Sequence, residues 1–169
     1  ITKYLYENVN HLEENFELCE VLIGLNETNP KNKFLLKQQS KMYKKLQEEK
    51  DEDNIFKYNW QSKFLYSLSR KNIDENINNH RKLLLKKIIK IITEFTDETE
   101  TNYLAVSLEA LSSLLKINRI NKQKIMDNIL YLFSKLNKRY DMQSGLYKFK
   151  NGSSRLDITG HILNGLILF

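Results

Sequence analysis

Over long stretches of this chain apolar residues recur three and four apart, the spacing that lines one face of an α-helix. Between 121 and 139, Ile125, Ile129, Leu132, Phe133 and Leu136 make one stripe with lysines opposite. Between 73 and 95, Ile77, Leu84, Ile88, Ile91, Ile92 and Phe95 do the same, and 32–50 is a third, more charged segment of this kind. Each predicts a one-sided helix, as an outer layer requires.

A second pattern falls between these segments. Cys19 to Leu25, Ser62 to Leu68, Ala105 to Leu111 and Gly160 to Leu166 each read small-x-x-Leu-x-small-Leu, or close to it. The closing leucines, Leu25, Leu68, Leu111 and Leu166, stand 43, 43 and 55 residues apart, a period that fits a helix, a turn, a second helix and a turn. At about 100° per residue, small positions such as Gly160 and Gly165 fall on different sides of the wheel. A helix built this way can be approached closely from two directions, which suits an inner layer.

The fold expected is therefore all-α: one helical-repeat domain over 1–169, made of helical hairpins with inner and outer layers, either an open repeat or part of an α/α toroid. One proline and five glycines agree, since helices exclude both while sheets and loop-rich folds use them freely. Asn29-Pro30, Asp51 to Asn54 and Asp97 to Thr101 punctuate the links. The link from Tyr140 to Arg155 is longer and alternates apolar and polar residues around Ser-Gly and Asn-Gly signals, which predicts a short hairpin.

Charge and cysteine content narrow the functional classes. The net charge of +6 comes almost wholly from lysines scattered among Glu and Asn, with only Arg70, Arg81, Arg119, Arg139 and Arg155 able to fork onto phosphate or bases. Nucleic acid is accordingly not the expected partner. The lone Cys19 excludes an intrachain disulfide, and no apolar run approaches the ~20 residues of a membrane span. A soluble, cytoplasmic protein is expected. The apolar run from Leu163 to Phe169 predicts a fragment of a longer polypeptide, or a second subunit or other protein partner that covers this last helix. No glycine loop cradles phosphate, and His11 and His80 lack companions at ligand spacing, so neither metal nor other cofactor is expected.

The alternating helices, together with Tyr140-Asp141, Gly145-Leu146-Tyr147-Lys148-Phe149 and Arg155-Leu156-Asp157-Ile158-Thr159-Gly160-His161, resemble the α/α-toroid superfamily. That group includes terpenoid cyclases, protein prenyltransferases and N-acylglucosamine 2-epimerase-like enzymes. The resemblance in architecture covers most of the chain, and the specific stretch covers 140–169. It implies a loop and an inner-helix start at one rim of a cavity, where such proteins act on their substrates.

Aligning the repeats gives three adjacent columns on the inner helices: Phe16, Asn59, Asn102 and Asp157; Glu20, Lys63, Val106 and His161; Ile23, Tyr66, Glu109 and Asn164. They form one largely polar stripe, facing either a cavity or solvent. Asp157 and His161 stand i,i+4, a spacing that brings a carboxylate beside an imidazole and suits general acid–base work, though Asp157 also suits a helix cap. Arg155 offers a fork to a carboxylate or phosphate. Trp60 and Tyr103, at the starts of successive inner helices, suit stacking on a ring or core packing. The expected catalytic pair is thus Asp157 and His161, with Tyr147, Arg155, Asn164, Glu109, Tyr66 and Trp60 as substrate-binding residues. Because the stripe is polar, a glycan-like polyhydroxylated substrate is expected. The alternative is a non-enzymatic helical-repeat scaffold that binds a protein partner.

Overall fold

In the computed structural model the described residues are 21, 24, 33–48, 54–69, 75–117, 121–149 and 151–169. They form six helices and one small hairpin: α1 (Lys33–Glu48), α2 (Ile55–Ser69), α3 (Glu75–Thr93), α4 (Thr101–Ile117), α5 (Lys122–Asn137), β1 (Tyr140–Asp141), β2 (Leu146–Tyr147) and α6 (Leu156–Leu168). Apart from Val21 and Gly24, which are helical, the first copy of the repeated pattern and the Asn29-Pro30 link lie outside the described residues.

Helices α2, α4 and α6 make the inner layer, with α4 packed against both of the others. α1, α3 and α5 make the outer layer: α1 lies on α3, α3 on α2 and α4, and α5 on α4. An all-α helical repeat is therefore what the chain forms. The sequence pattern explains the division. α3 buries Ile77, Leu84, Ile88, Ile91 and Ile92 on one side, and α5 buries Ile125, Ile129, Leu132 and Leu136 while Lys122 and Lys124 face out. α4, flanked on both sides, buries Leu104 through Leu114 without a break, which works because Ala105, Ser107, Ala110, Ser112 and Ser113 keep it thin.

The inner helices differ in how closely they approach. A Cβ added at Gly165 would stand 3.0 Å from Leu108 Cγ, 3.2 Å from the Glu109 nitrogen and 3.3 Å from its Cα, so α6 lies directly on the α4 backbone there. Gly160 has no atom within 4 Å of an equivalent Cβ, and only Gly165 of the pair serves contact. The outward side of α6 leaves Leu156, Leu163 and Ile167 exposed as an apolar stripe.

The links obey local chemistry. The Asn54 side chain accepts hydrogen bonds from the backbone N–H groups of Phe56 and Lys57 (3.1 and 3.2 Å), capping α2. The acids before α4 behave differently from a simple helix-dipole arrangement: Asp97 takes a 2.6 Å ion pair from Lys135 of α5, and Arg139 donates to the Asp97 carbonyl and to Thr101 Oγ1. β1 and β2 pair antiparallel, Tyr140 with Tyr147 and Asp141 with Leu146, so the expected hairpin is present. Gly145, in the hairpin turn, and Gly152, in a second turn between β2 and α6, take φ of +69° and +83°, where a side chain would be strained.

Candidate functional site

Where α2, α4 and α6 face one another, a single carboxylate gathers four side chains. Glu109, on α4, is fully buried. Its Oε2 accepts from Asn59 Nδ2 on α2 at 2.7 Å and from His161 Nδ1 on α6 at 2.7 Å. Its Oε1 accepts from Asn164 Nδ2 on α6 at 3.1 Å and pairs with Lys63 Nζ on α2 at 3.3 Å. Members of all three columns of the repeat alignment thus meet in a polar cluster between helices: Asn59 from the first, Lys63 and His161 from the second, Glu109 and Asn164 from the third.

The electrostatics follow from that geometry. Burial pushes the Glu109 carboxyl up, but the hydrogen bond from His161, the Lys63 charge and the Asn59 amide outweigh it and hold the pKa below its ordinary 4.5. An ionised carboxylate accepts only, so His161 Nδ1 carries a proton in this bond and Nε2 is the ring nitrogen left for other partners. The side chains of Lys63 and His161 are about a quarter exposed, whereas Glu109 is sealed (25%, 27% and 1%). The cluster therefore has a closed acidic centre and a cationic, hydrogen-bonding rim. Asn59 Oδ1 is buried with no partner among the described residues, which leaves one acceptor unused.

The expected site residues sort as follows. Glu109, Asn164 and His161 come together. Asp157 does not bond to His161: it takes both hydrogen bonds from Arg155, Nε to Oδ1 at 2.9 Å and Nη2 to Oδ2 at 2.5 Å, in the exposed first turn of α6. The i,i+4 spacing put the carboxylate within reach, but the nearer Arg155 occupies it, and His161 turns to α4. Arg155 also lies 5.9 Å from the Phe149 ring, so its guanidinium is engaged on both sides. Tyr147 is buried in the core, tilted against Tyr140 at 5.2 Å, and its backbone N–H points to Thr159 Oγ1. It fastens the hairpin to α6. Trp60 is half-buried against the core with Lys63 Nζ 4.1 Å from its ring centroid, which covers one aromatic face with a cation. Tyr66 also packs half-buried against the core, and Tyr103 is exposed and edge-on to Phe56.

Two members of the cluster, Asn59 and Lys63, were not among the expected ligand-binding residues. Their signal was present, since both stand in the alignment columns beside Asp157 and His161. Among the described residues no group of three or more His, Cys, Asp or Glu side chains is arranged to hold a metal, and no helix is long and apolar enough to cross a membrane.

Comparison with known proteins finds no matching family model, no matching curated protein and no matching solved structure.

Proposed function

We propose that the inner face binds a small polyhydroxylated, glycan-like ligand, with His161 as general acid or base and Glu109, rather than Asp157, as the carboxylate that orients it. One observation carries this reading: the 2.7 Å bond from His161 Nδ1 to the sealed Glu109 fixes the ring, with Nε2 unpartnered among the described residues and the side chain about a quarter exposed. A carboxylate behind an imidazole fixes its tautomer and orientation. Lys63, Asn164 and the exposed part of Trp60 around it offer the donors and flat apolar surface that sugars engage. The α/α-toroid resemblance favours the same face, because in that architecture the inner helices line the substrate cavity.

The α6 stripe of Leu156, Leu163 and Ile167 favours a second reading, a scaffold that binds a protein partner, since contiguous exposed apolar surface marks association sites. One experiment separates the two. Binding and turnover of a panel of soluble oligosaccharides would be measured for the native chain, His161→Gln and Asp157→Asn. Under the proposed function His161→Gln lowers turnover at least 100-fold, the usual scale for losing a general acid or base, while Asp157→Asn leaves it unchanged. Equal behaviour of His161→Gln and the native chain, or no response to any sugar, would leave only the scaffold.

A further inference from the structure

Between two outer-layer helices, α3 and the start of α5, a cavity of about 240 Å³ opens. It is far larger than the roughly 10–15 Å³ that one water needs by the same measure. Its lining is one-signed: Arg81, Lys82, Lys86 and Lys124 surround Leu85, Ile89 and Asn121, with no carboxylate among them. We propose that this cavity binds a phosphate group, either free or at the end of a small phosphomonoester.

Three independent features support it. Arg81 is almost entirely buried, yet no carboxylate pairs with it among the described residues. Its Nη1 donates to the Ile117 carbonyl and its Nη2 to Asn78 Oδ1, while Nε has no acceptor there. A buried cation with an unused donor is costly unless something anionic completes it. Burial also pulls the guanidinium pKa down from its ordinary value, a penalty that a bound anion would offset.

The start of α5 is the second feature. The first N–H groups of a helix have no partner inside it, and here Asn121, in a left-handed conformation, supplies no side-chain cap. The first turn holds Lys122 and Lys124 and no acid, so positive side chains sit at the positive end of the helix dipole. Amides and lysines that repel one another when the site is empty become allies around an anion.

Third, Lys82 and Lys86 stand i,i+4 on α3, exposed and without an acidic partner among the described residues, although the chain carries 21 acidic side chains. They form the rim, and Leu85 and Ile89 give the apolar wall that a phosphomonoester's carbon skeleton would meet. A phosphate dianion suits this donor set better than a carboxylate does, because it brings more charge and more acceptor oxygens to a guanidinium and several lysines.

The test titrates inorganic phosphate into the full chain by calorimetry, with Lys86→Glu, Lys124→Glu and Arg81→Lys as variants and the exposed Lys41→Glu on α1 as a control. Circular dichroism confirms that each variant folds. The expected result is saturable binding to one site, weakened at least tenfold by Lys86→Glu and by Lys124→Glu. Arg81→Lys weakens it despite keeping the charge, and Lys41→Glu leaves it unchanged. Sedimentation with phosphatidylcholine vesicles, with and without phosphatidic acid, separates the phosphate's sources: if phosphatidic acid recruits the chain and phosphate competes, a lipid headgroup supplies the ligand. Vesicle binding that phosphate does not compete, absence of saturable phosphate binding, or equal weakening by Lys41→Glu overturns the proposal.

Discussion

Two buried polar networks hold this repeat together, and they are built on opposite principles. Between α1, α2 and α3, His80 is entirely buried and neutral partners surround it: its Nδ1 meets Gln39 Nε2 at 3.2 Å, its Nε2 meets Gln61 Oε1 at 2.9 Å, and Tyr43 stacks on the ring at 5.4 Å. The amide donor of Gln39 and the carbonyl acceptor of Gln61 fix the tautomer with the proton on Nε2. Between α2, α4 and α6, Glu109 is equally buried but ionised, and two of its partners, Lys63 and His161, reach solvent. A closed network with both ring nitrogens used can only specify how helices pack. An open one, with a charge inside and part-exposed lysine and imidazole side chains at its rim, can also meet a ligand.

The largest expected effect tests whether the charge matters. Glu109→Ala strands Lys63, His161 and two amides around an empty site, and breaking a buried ion pair in this way costs about 3–5 kcal/mol. Glu109→Gln keeps the shape and costs less. Urea midpoints of the two variants give the difference. If Glu109→Ala is as mild as a surface substitution, the cluster is wetter than its 1% exposure implies and the contrast with His80 collapses.

His80→Ala comes next, at roughly 2–4 kcal/mol, because it leaves the Gln39 and Gln61 amides unpaired and opens a cavity. The two networks also differ in their pH windows. Burial pushes the His80 imidazole down from 6.5 to about 3, so from about pH 6.5 downward the unfolded chain binds a proton that the folded one refuses. Stability then falls with acidification by at most about 1.4 kcal/mol per pH unit. Glu109 has a depressed pKa, so its contribution is intact above 4.5 and is lost only below that value. Urea midpoints between pH 7 and 4.5 should therefore flatten in His80→Ala but not in Glu109→Gln. A slope that survives in His80→Ala would show that some other group sets it.

Much of this architecture was legible in the order of residues, and the reasons are physical. Helix periodicity is local, so the stripes on α3 and α5 and the small-residue helices α2, α4 and α6 appear in the string itself. The repeat alignment goes further, placing Asn59, Lys63, Glu109, His161 and Asn164 in adjacent columns. What it lacked was rotation. Asp157 competes for Arg155 two residues away, whereas the partner that His161 takes is 52 residues distant. His80 was opaque for the same reason: it stands in a polar run, Asn78-Asn79-His80-Arg81, and its glutamines lie 41 and 19 residues off. The cationic cavity is not legible in the sequence, because its lysines look like ordinary surface residues until α3 and α5 are set side by side.

The smallest expected effect perturbs one network without touching a polar atom. Gly165→Ala adds a single methyl where α6 rests on Leu108 and the Glu109 backbone. The Leu108 side chain can rotate away, but the main chain cannot, so α6 must lift slightly and carry His161 and Asn164 with it. Overpacking of this kind costs roughly 1–3 kcal/mol, and the gain in helix propensity from glycine to alanine returns up to about 1 kcal/mol. A net loss near 1 kcal/mol is expected. Gly160→Ala, with open space around it, should instead gain about 0.5–1 kcal/mol. Imidazole NMR resonances report where the strain goes: in Gly165→Ala those of His161 should shift while those of His80 stay in place. Movement of both would mean that the two networks are mechanically coupled through α2, which contributes Asn59 and Lys63 to one and Gln61 to the other.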